Sequence, residues 1–253
     1  MFVRFFTFRC EPDKVEEFRD FVVEQVFSGL RETEGCLFAS LVESIAEPNE
    51  FSSLTLWESS DHIKAYDEGA RFAALVQASQ PFMATSDEWQ LQLSKDLTLE
   101  YKPVIEEPRV DSYLLRAVMD EAALQQQRAA NMHLRLVRLQ AIDDGLEGLK
   151  QNYIEEVIPA LRGVKGCRNA FLIESVASQN QLISVTLWDS REDAEAFDRG
   201  AVFQALMNNT RELRSAHIWQ TTLTSDVASK VYTSDDVKTQ FYAVIAGQGF
   251  QGE

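Results

Sequence analysis

An α+β fold built twice is what this chain predicts, and three observations carry that expectation. First, residues 53–72, S-L-T-L-W-E-S-S-D-H-I-K-A-Y-D-E-G-A-R-F, recur at 184–203 as S-V-T-L-W-D-S-R-E-D-A-E-A-F-D-R-G-A-V-F. Trp57 and Trp188 stand 131 residues apart, Gly35 and Gly166 and Phe72 and Phe203 keep that offset, and 18 of 38 positions from Gly35 to Phe72 are identical without a gap. Second, within each copy, two-residue alternation and helical spacing succeed one another in the order β-α-β-β-α-β. Third, each helical stretch has a single apolar stripe, as a helix does when it covers one face of an antiparallel sheet. Together these predict two ferredoxin-like repeats. A period of 131 is too long for a solenoid and right for one small domain per copy.

The elements follow in order. Phe and Val alternate loosely with Arg4, Thr7 and Arg9 over residues 2–9, which reads as a strand. Glu11-Pro12-Asp13 opens a helix, because a proline in the first turn sacrifices no hydrogen bond and acids suit the positive helix end. Val15, Phe18, Val22, Val26 and Leu30 form its stripe, and Gly35 ends the connection. Strands at 37–45 and 51–57 flank the turn Glu47-Pro48-Asn49-Glu50. Ser59 caps a short helix that stops at Gly69; a second piece around Phe72, Leu75 and Val76 ends before Pro81. Trp89, Leu91 and Leu93 alternate with polar residues in a fourth strand, 87–94. The second copy has a strand from His133 to Gln140 and a helix bearing Leu146, Leu149, Tyr153, Val157 and Leu161, whose last turn Pro159 is expected to kink. Strands at 170–176 and 182–188, a capping box from Ser190 to Asp193, and a last strand near 217–224 complete it. Lys102 to Pro108 reads as a linker, and Leu114, Leu115, Val118, Met119 and Ala122 as one face of a connecting helix over 112–128. In the tail, Phe241-Tyr242-Ala243-Val244-Ile245 suits an extra strand covering a sheet edge. The expected division is 1–98, 99–131 as linker, 132–225, and 226–253 as tail.

Composition excludes several classes of function. A net charge of −16 repels phosphate backbones and anionic lipid, so neither nucleic acid nor a membrane is an expected partner. No apolar run approaches the roughly 18 residues of a membrane helix, and the first eight residues are too short for a signal peptide. Cys10, Cys36 and Cys167 are odd in number and lack metal-ligand spacing, which suits small buried residues and a reducing, cytoplasmic compartment. His62, His133 and His217 are scattered, so no metal site is expected.

Strand alternation sets Ser53, Thr55 and Trp57 on one face, and Ser184, Thr186 and Trp188 likewise. Two hydroxyls and an indole make an amphipathic wall that can stack a flat aromatic ligand. The alternative is an indole that fills the space between sheet and helix. Asp67 and Asp198 end the short helix ten residues after each Trp. Each is either a carboxylate over an apolar pocket, able to act as a base, or a residue that bonds the following turn.

The S-x-T-L-W-[ED]-S motif, with its following helix and downstream Phe, resembles the antibiotic biosynthesis monooxygenase domain of the dimeric α+β barrel superfamily. The likeness covers residues 1 to about 95 and 132 to about 224. In that family two chains pair their sheets into a barrel; a tandem copy implies an intrachain dimeric α+β barrel, a pseudo-dimeric monomer compatible with a further homodimer. The resemblance implies a cofactor-independent monooxygenase acting on a phenol, quinol or anthrone. Trp57 and Trp188 would be pocket walls and N–H donors, Asp67 or Asp198 the base, and Ser53, Thr55, Phe72, Ser184, Thr186 and Phe203 the substrate contacts. Haem-cleaving relatives use a His near the Asp67 position and an Asn on the first strand; this chain has neither, which argues against haem. In relatives that oxidise polyketides, an Asn precedes the Trp by four residues, where Ser53 and Ser184 stand here. A non-catalytic ligand-binding or structural protein on the same fold is the alternative, and an isomerase or dehydratase a third reading.

Overall fold

The computed structural model describes residues 1–93, 99–105, 108–120, 122, 132–215 and 237–250, with the backbone alone at 86–93, 99–105 and 237–238. The chain is α+β, a tandem duplication of the ferredoxin-like unit. It divides into two compact units. One holds Met1–Ser112, Gln125–Ala130 and Ala243–Glu253; the other holds Tyr113–Leu124 and Asn131–Tyr242.

In the first unit β1 (Phe2–Arg9) pairs antiparallel with β3 (Glu50–Trp57), whose other edge carries β2 (Cys36–Ser44). The register sets Arg4 opposite Thr55, Phe6 opposite Ser53 and Phe2 opposite Trp57. Even positions of β1 and odd positions of β3 therefore share one face, and helices cover it. The opposite face, with Val3, Phe5, Leu54 and Leu56, is also buried. A strand buried on both sides has no reason to alternate strictly, which explains the near-continuous F-V-R-F-F-T-F run.

The covering helix is not one regular α-helix. α1 (Val15–Phe21) passes into a π-helical turn (Val22–Val26) and then α2 (Phe27–Arg31). Phe18, Phe21, Val22, Phe27 and Leu30 are its buried residues. α3 (Ser60–Asp67) starts at Ser59, whose hydroxyl accepts from the His62 amide, and α4 (Ala70–Ser79) follows from Gly69. Gly35 has φ of 75°, and a Cβ there would lie 2.3 Å from His62 Cγ, so only glycine lets β2 begin beneath the start of α3.

Two expectations in this unit change. The fourth strand is present as β4 (Thr85–Leu93), but its ladder is with β5 (Leu99–Ile105), in a hairpin made partly of the stretch read as a linker. Its approach to β1 is one bridge, Cys10 to Met83, with the Ala84 amide on the Arg9 carbonyl. The expected connecting helix is instead a strand, β6 (Arg109–Val118), paired with β8 from Tyr113 onwards in the second unit. A short apolar run such as Y-L-L-R-A-V fits either period, and pairing decided it.

The second unit repeats the first. β7 (His133–Gln140) and β8 (Cys167–Ser175) flank β9 (Gln181–Trp188). The covering helix is α5 (Leu146–Asn152), a π turn (Tyr153–Val157) and α6 (Ile158–Arg162); α7 (Arg191–Asp198) and α8 (Ala201–Asn209) follow. The two π turns occupy equivalent positions, 22–26 and 153–157, and the first contains no proline. Proline is therefore not required for the irregularity; Pro159 lies just after the second π turn, in α6. The Ser190 cap forms as expected, accepting from the Asp193 amide. Gly166, at φ of 80°, repeats the role of Gly35.

The described part of the tail holds a strand, β10 (Val237–Gly249), longer than the run that predicted it. Its latter part covers the edge of β2: Ser40 Oγ donates to the Ala246 carbonyl, and the Phe250 amide to the Leu37 carbonyl. The strand expected near 217–224 and His217 lie outside the described residues. No helix among the described residues is long and apolar enough to cross a membrane.

Candidate functional site

Each unit encloses a cavity between its strand face and its helices. In the first, the floor is Arg4, Phe6 and Phe8 of β1 with Ser53 and Thr55 of β3; Val22 and Val26 of the π turn and Phe72 and Leu75 of α4 form the roof. Its volume is about 80 Å³, well above the ~10–15 Å³ that one water needs. The second cavity is built from the equivalent positions, among them Arg135, Ser184, Thr186, Tyr153 and Phe203, and measures about 40 Å³.

The structure brings together six of the ten sequence-predicted site residues as cavity lining: Ser53, Thr55 and Phe72 in one unit, Ser184, Thr186 and Phe203 in the other. It sets the other four apart. Trp57 and Trp188 are fully buried and line neither cavity. Trp57 Nε1 donates to Thr55 Oγ1 at 2.8 Å, and Thr55 Oγ1 donates to the Arg4 carbonyl at 3.4 Å. Trp188, Thr186 and Arg135 repeat this chain at the same distances, 2.8 and 3.4 Å. The indole N–H is thus consumed within β3, on the hydroxyl that itself bonds across to β1. Of the two readings of these tryptophans, the geometry matches the packing one.

Asp67 and Asp198 are likewise outside the cavity walls, and each meets an arginine. Asp67 pairs with Arg4 at 2.8 Å. Arg135 forks onto Asp198, its Nε donating to Oδ2 at 3.2 Å and its second nitrogen to Oδ1. Burial pushes the Asp67 carboxyl above its ordinary value, and the Arg4 charge offsets only part of that rise. Asp67, 2.8 Å from the guanidinium, is engaged as the partner of Arg4 and does not line the cavity.

The residue that sequence reasoning missed is Arg4. Its side chain is 6% exposed and lines the cavity, its guanidinium carbon sits 5.0 Å over the Phe72 ring, and its Nε is buried with no hydrogen-bond partner among the described residues. Burial draws its pKa below the usual 12.5, against the pull of Asp67 and Tyr66; a guanidinium stays charged regardless. The signal was available: an arginine interrupts an apolar strand at equivalent positions of both repeats, 4 and 135. Tyr66 packs between Trp57 and Phe72, with ring centroids 5.2 Å from each, and burial raises its phenol to about 12. It is a neutral hydroxyl at working pH.

The remaining candidates are structural. Cys36 is buried and burial pushes its thiol up to about 12, as it pushes Cys10 and Cys167 to about 11. Low thiolate content removes their nucleophilicity. His62 Nδ1 is bonded to Ser59 Oγ at 3.0 Å at the start of α3. Among the described residues no three His, Cys, Asp or Glu side chains converge as a metal ligand set.

The sequence pattern of the family described as antibiotic biosynthesis monooxygenase matches residues 1–78 and again 132–209. No curated protein matches. Among solved structures, a candidate monooxygenase of Lactobacillus acidophilus superimposes with TM-score 0.67 at 7% identity, over 98% of this chain and 96% of its own. One from Fusobacterium nucleatum gives 0.68 at 7%, over 100% and 95%. An anthrone oxidase-like protein gives 0.58 at 11%, over 99% and 93%. At such identities these likenesses establish the fold.

Proposed function

The chain belongs to the antibiotic biosynthesis monooxygenase family, in two copies, and from that premise we propose that it is a cofactor-independent monooxygenase of a small aromatic substrate of the phenol, quinol or anthrone type. The observation that carries the reading is the first cavity: an apolar slot, rich in Phe, with one buried guanidinium and two hydroxyls on its floor. Such a slot suits a flat ring that is desolvated, held by its faces and ionised at one oxygen. Arg4 stabilises the resulting anion, and the Ser53 hydroxyl orients it. Asp67 is a positioning residue that holds Arg4, and Trp57 holds Thr55. For an anthrone-type methylene the balance closes without an external reductant. The CH₂ becomes C=O, one atom of O₂ enters the product, the other leaves as water with both hydrogens, and the four electrons come from the substrate.

A second reading has its own observation: no carboxylate or imidazole lines the first cavity among the described residues. The substrate proton must then pass to water, and a protein that only binds such a molecule needs no base. Oxygen uptake decides between them. The purified chain is given a panel of quinols and anthrones, with and without added flavin or metal. The monooxygenase reading expects uptake above the spontaneous rate with neither added, one O₂ per anthrone. Uptake that depends on an added flavin or metal, or none with any substrate, removes it. Activity per chain is expected to survive dilution to the monomer, checked by sedimentation, because two copies in one chain supply what a family dimer does.

A further inference from the structure

The two cavities are made from the same positions, 131 residues apart, and differ where it matters. Val22, on the first π turn, is matched by Tyr153 on the second. The Tyr153 phenol reaches the sheet and lies 3.0 Å from Ser184 Oγ, fully buried, in a cavity half the volume of the first. Opposite Val22, Ser53 Oγ has no hydrogen bond among the described residues. Arg4, which lines the same cavity, has a buried Nε with none either among the described residues, while its counterpart on Arg135 is satisfied by Asp198. At the π-turn position the first cavity therefore lacks what the second contains, an aromatic ring ending in an oxygen; Tyr66, which also lines the first cavity, comes from α3 and is matched by Phe197 in the second. A buried N–H without an acceptor is costly, and a ligand oxygen removes that cost.

We infer that the first repeat alone is a ligand site, that its ligand is a phenol-like ring whose oxygen is held by Ser53 and Arg4 Nε, and that Tyr153 is a built-in counterpart of that ligand which closes the second repeat. This rests on the preceding reading only for the chemistry that follows binding. The π turns sit at both cavities, as such irregularities often do at functional sites, and set residue 22 or 153 in the wall of each. The smaller Val22 leaves space in the first; Tyr153 takes up space in the second.

The test uses 2-naphthol, with 2-methylnaphthalene as an isostere lacking the oxygen, in equilibrium dialysis at saturation. The unmodified chain binds one 2-naphthol, Val22→Tyr binds none, and Tyr153→Val binds two. 2-Methylnaphthalene binds about tenfold more weakly than 2-naphthol, the factor that one hydrogen bond to a charged donor carries. Arg4→Met erases that preference, and Arg135→Met leaves it intact. Two 2-naphthol molecules on the unmodified chain, or an unchanged count in Val22→Tyr with a normal melting curve, overturns the inference. Should Val22→Tyr fail to fold, Tyr153→Val still decides, since a folded variant that gains no second site refutes the plug. A count of one, none and two without oxygen uptake would sink the monooxygenase reading and leave this one standing.

Discussion

Trp57→Phe separates a tryptophan that holds the fold from one that touches substrate. The indole is 0% exposed, so replacement by the smaller ring leaves a void of one or two methylenes, about 1–2 kcal/mol. It also removes the 2.8 Å bond from Nε1 to Thr55 Oγ1, about 1 kcal/mol more. The sum, about 2–3 kcal/mol, lowers Tm by about 5–10 °C in a chain of this size. Trp188→Phe should cost the same, because its bond to Thr186 has the same length. Thr55→Val strands the indole N–H in a dry interior, about 1–3 kcal/mol. In a double-mutant cycle, Trp57→Phe with Thr55→Val must therefore cost less than the two singles added, by about 1 kcal/mol. Calorimetric melting gives the four values, and 2-naphthol binding is measured alongside. A Trp57→Phe variant that melts with the unmodified chain yet loses ligand, or a double variant whose cost is simply additive, refutes the reasoning and restores the indole to the pocket wall.

Two further predictions test other joints. Gly35→Ala combines a positive φ with a Cβ 2.3 Å from the His62 ring, and Gly166→Ala one 2.6 Å from Asp193 Oδ2, so each should destabilise by more than the ~1 kcal/mol that an unstrained Gly→Ala change adds to stability, measured in denaturant unfolding; a neutral effect would mean that β2 or β8 can shift away from the helix start. For Glu174, burial alone would raise the carboxyl, but Lys150 and Arg116, each bonded at 2.7 Å, overcome it and hold its pKa below the ordinary 4.5. Since the folded value is the lower one, the pair's stabilisation is complete above pH 4.5 and fades as pH falls through the folded pKa. Glu174→Gln should flatten that part of the acid limb of stability, and an unchanged acid limb would show the cluster to be solvated.

How much was legible beforehand follows from what each feature depends on. The duplication, the strands at 2–9 and 133–140, the caps at Ser59 and Ser190 and the turn glycines were readable because offset, two-residue period and local φ are properties of neighbouring residues. Strand alternation also placed Ser53, Thr55, Ser184 and Thr186 on the correct face. The same alternation placed the tryptophans on that face but not their role, because an indole at a strand end either faces a cavity or fills the sheet–helix gap according to what lies above it. Here Tyr66 and Phe197 lie 5.2 and 5.4 Å away and close that gap.

What only the tertiary structure decided is everything that spans two elements. The run 112–118 carries apolar residues that satisfy either period, and it became a strand because β8 offered an edge. Arg4 and Asp67 are 63 residues apart, as are Arg135 and Asp198; nothing local announces that one guanidinium is forked onto its carboxylate and the other keeps a buried N–H unbonded. Val22 and Tyr153 read alike as apolar positions on a helical stripe. That one leaves a cavity and the other reaches Ser184 depends on the distance from helix to sheet, set by packing across the whole unit, which a one-dimensional pattern does not contain.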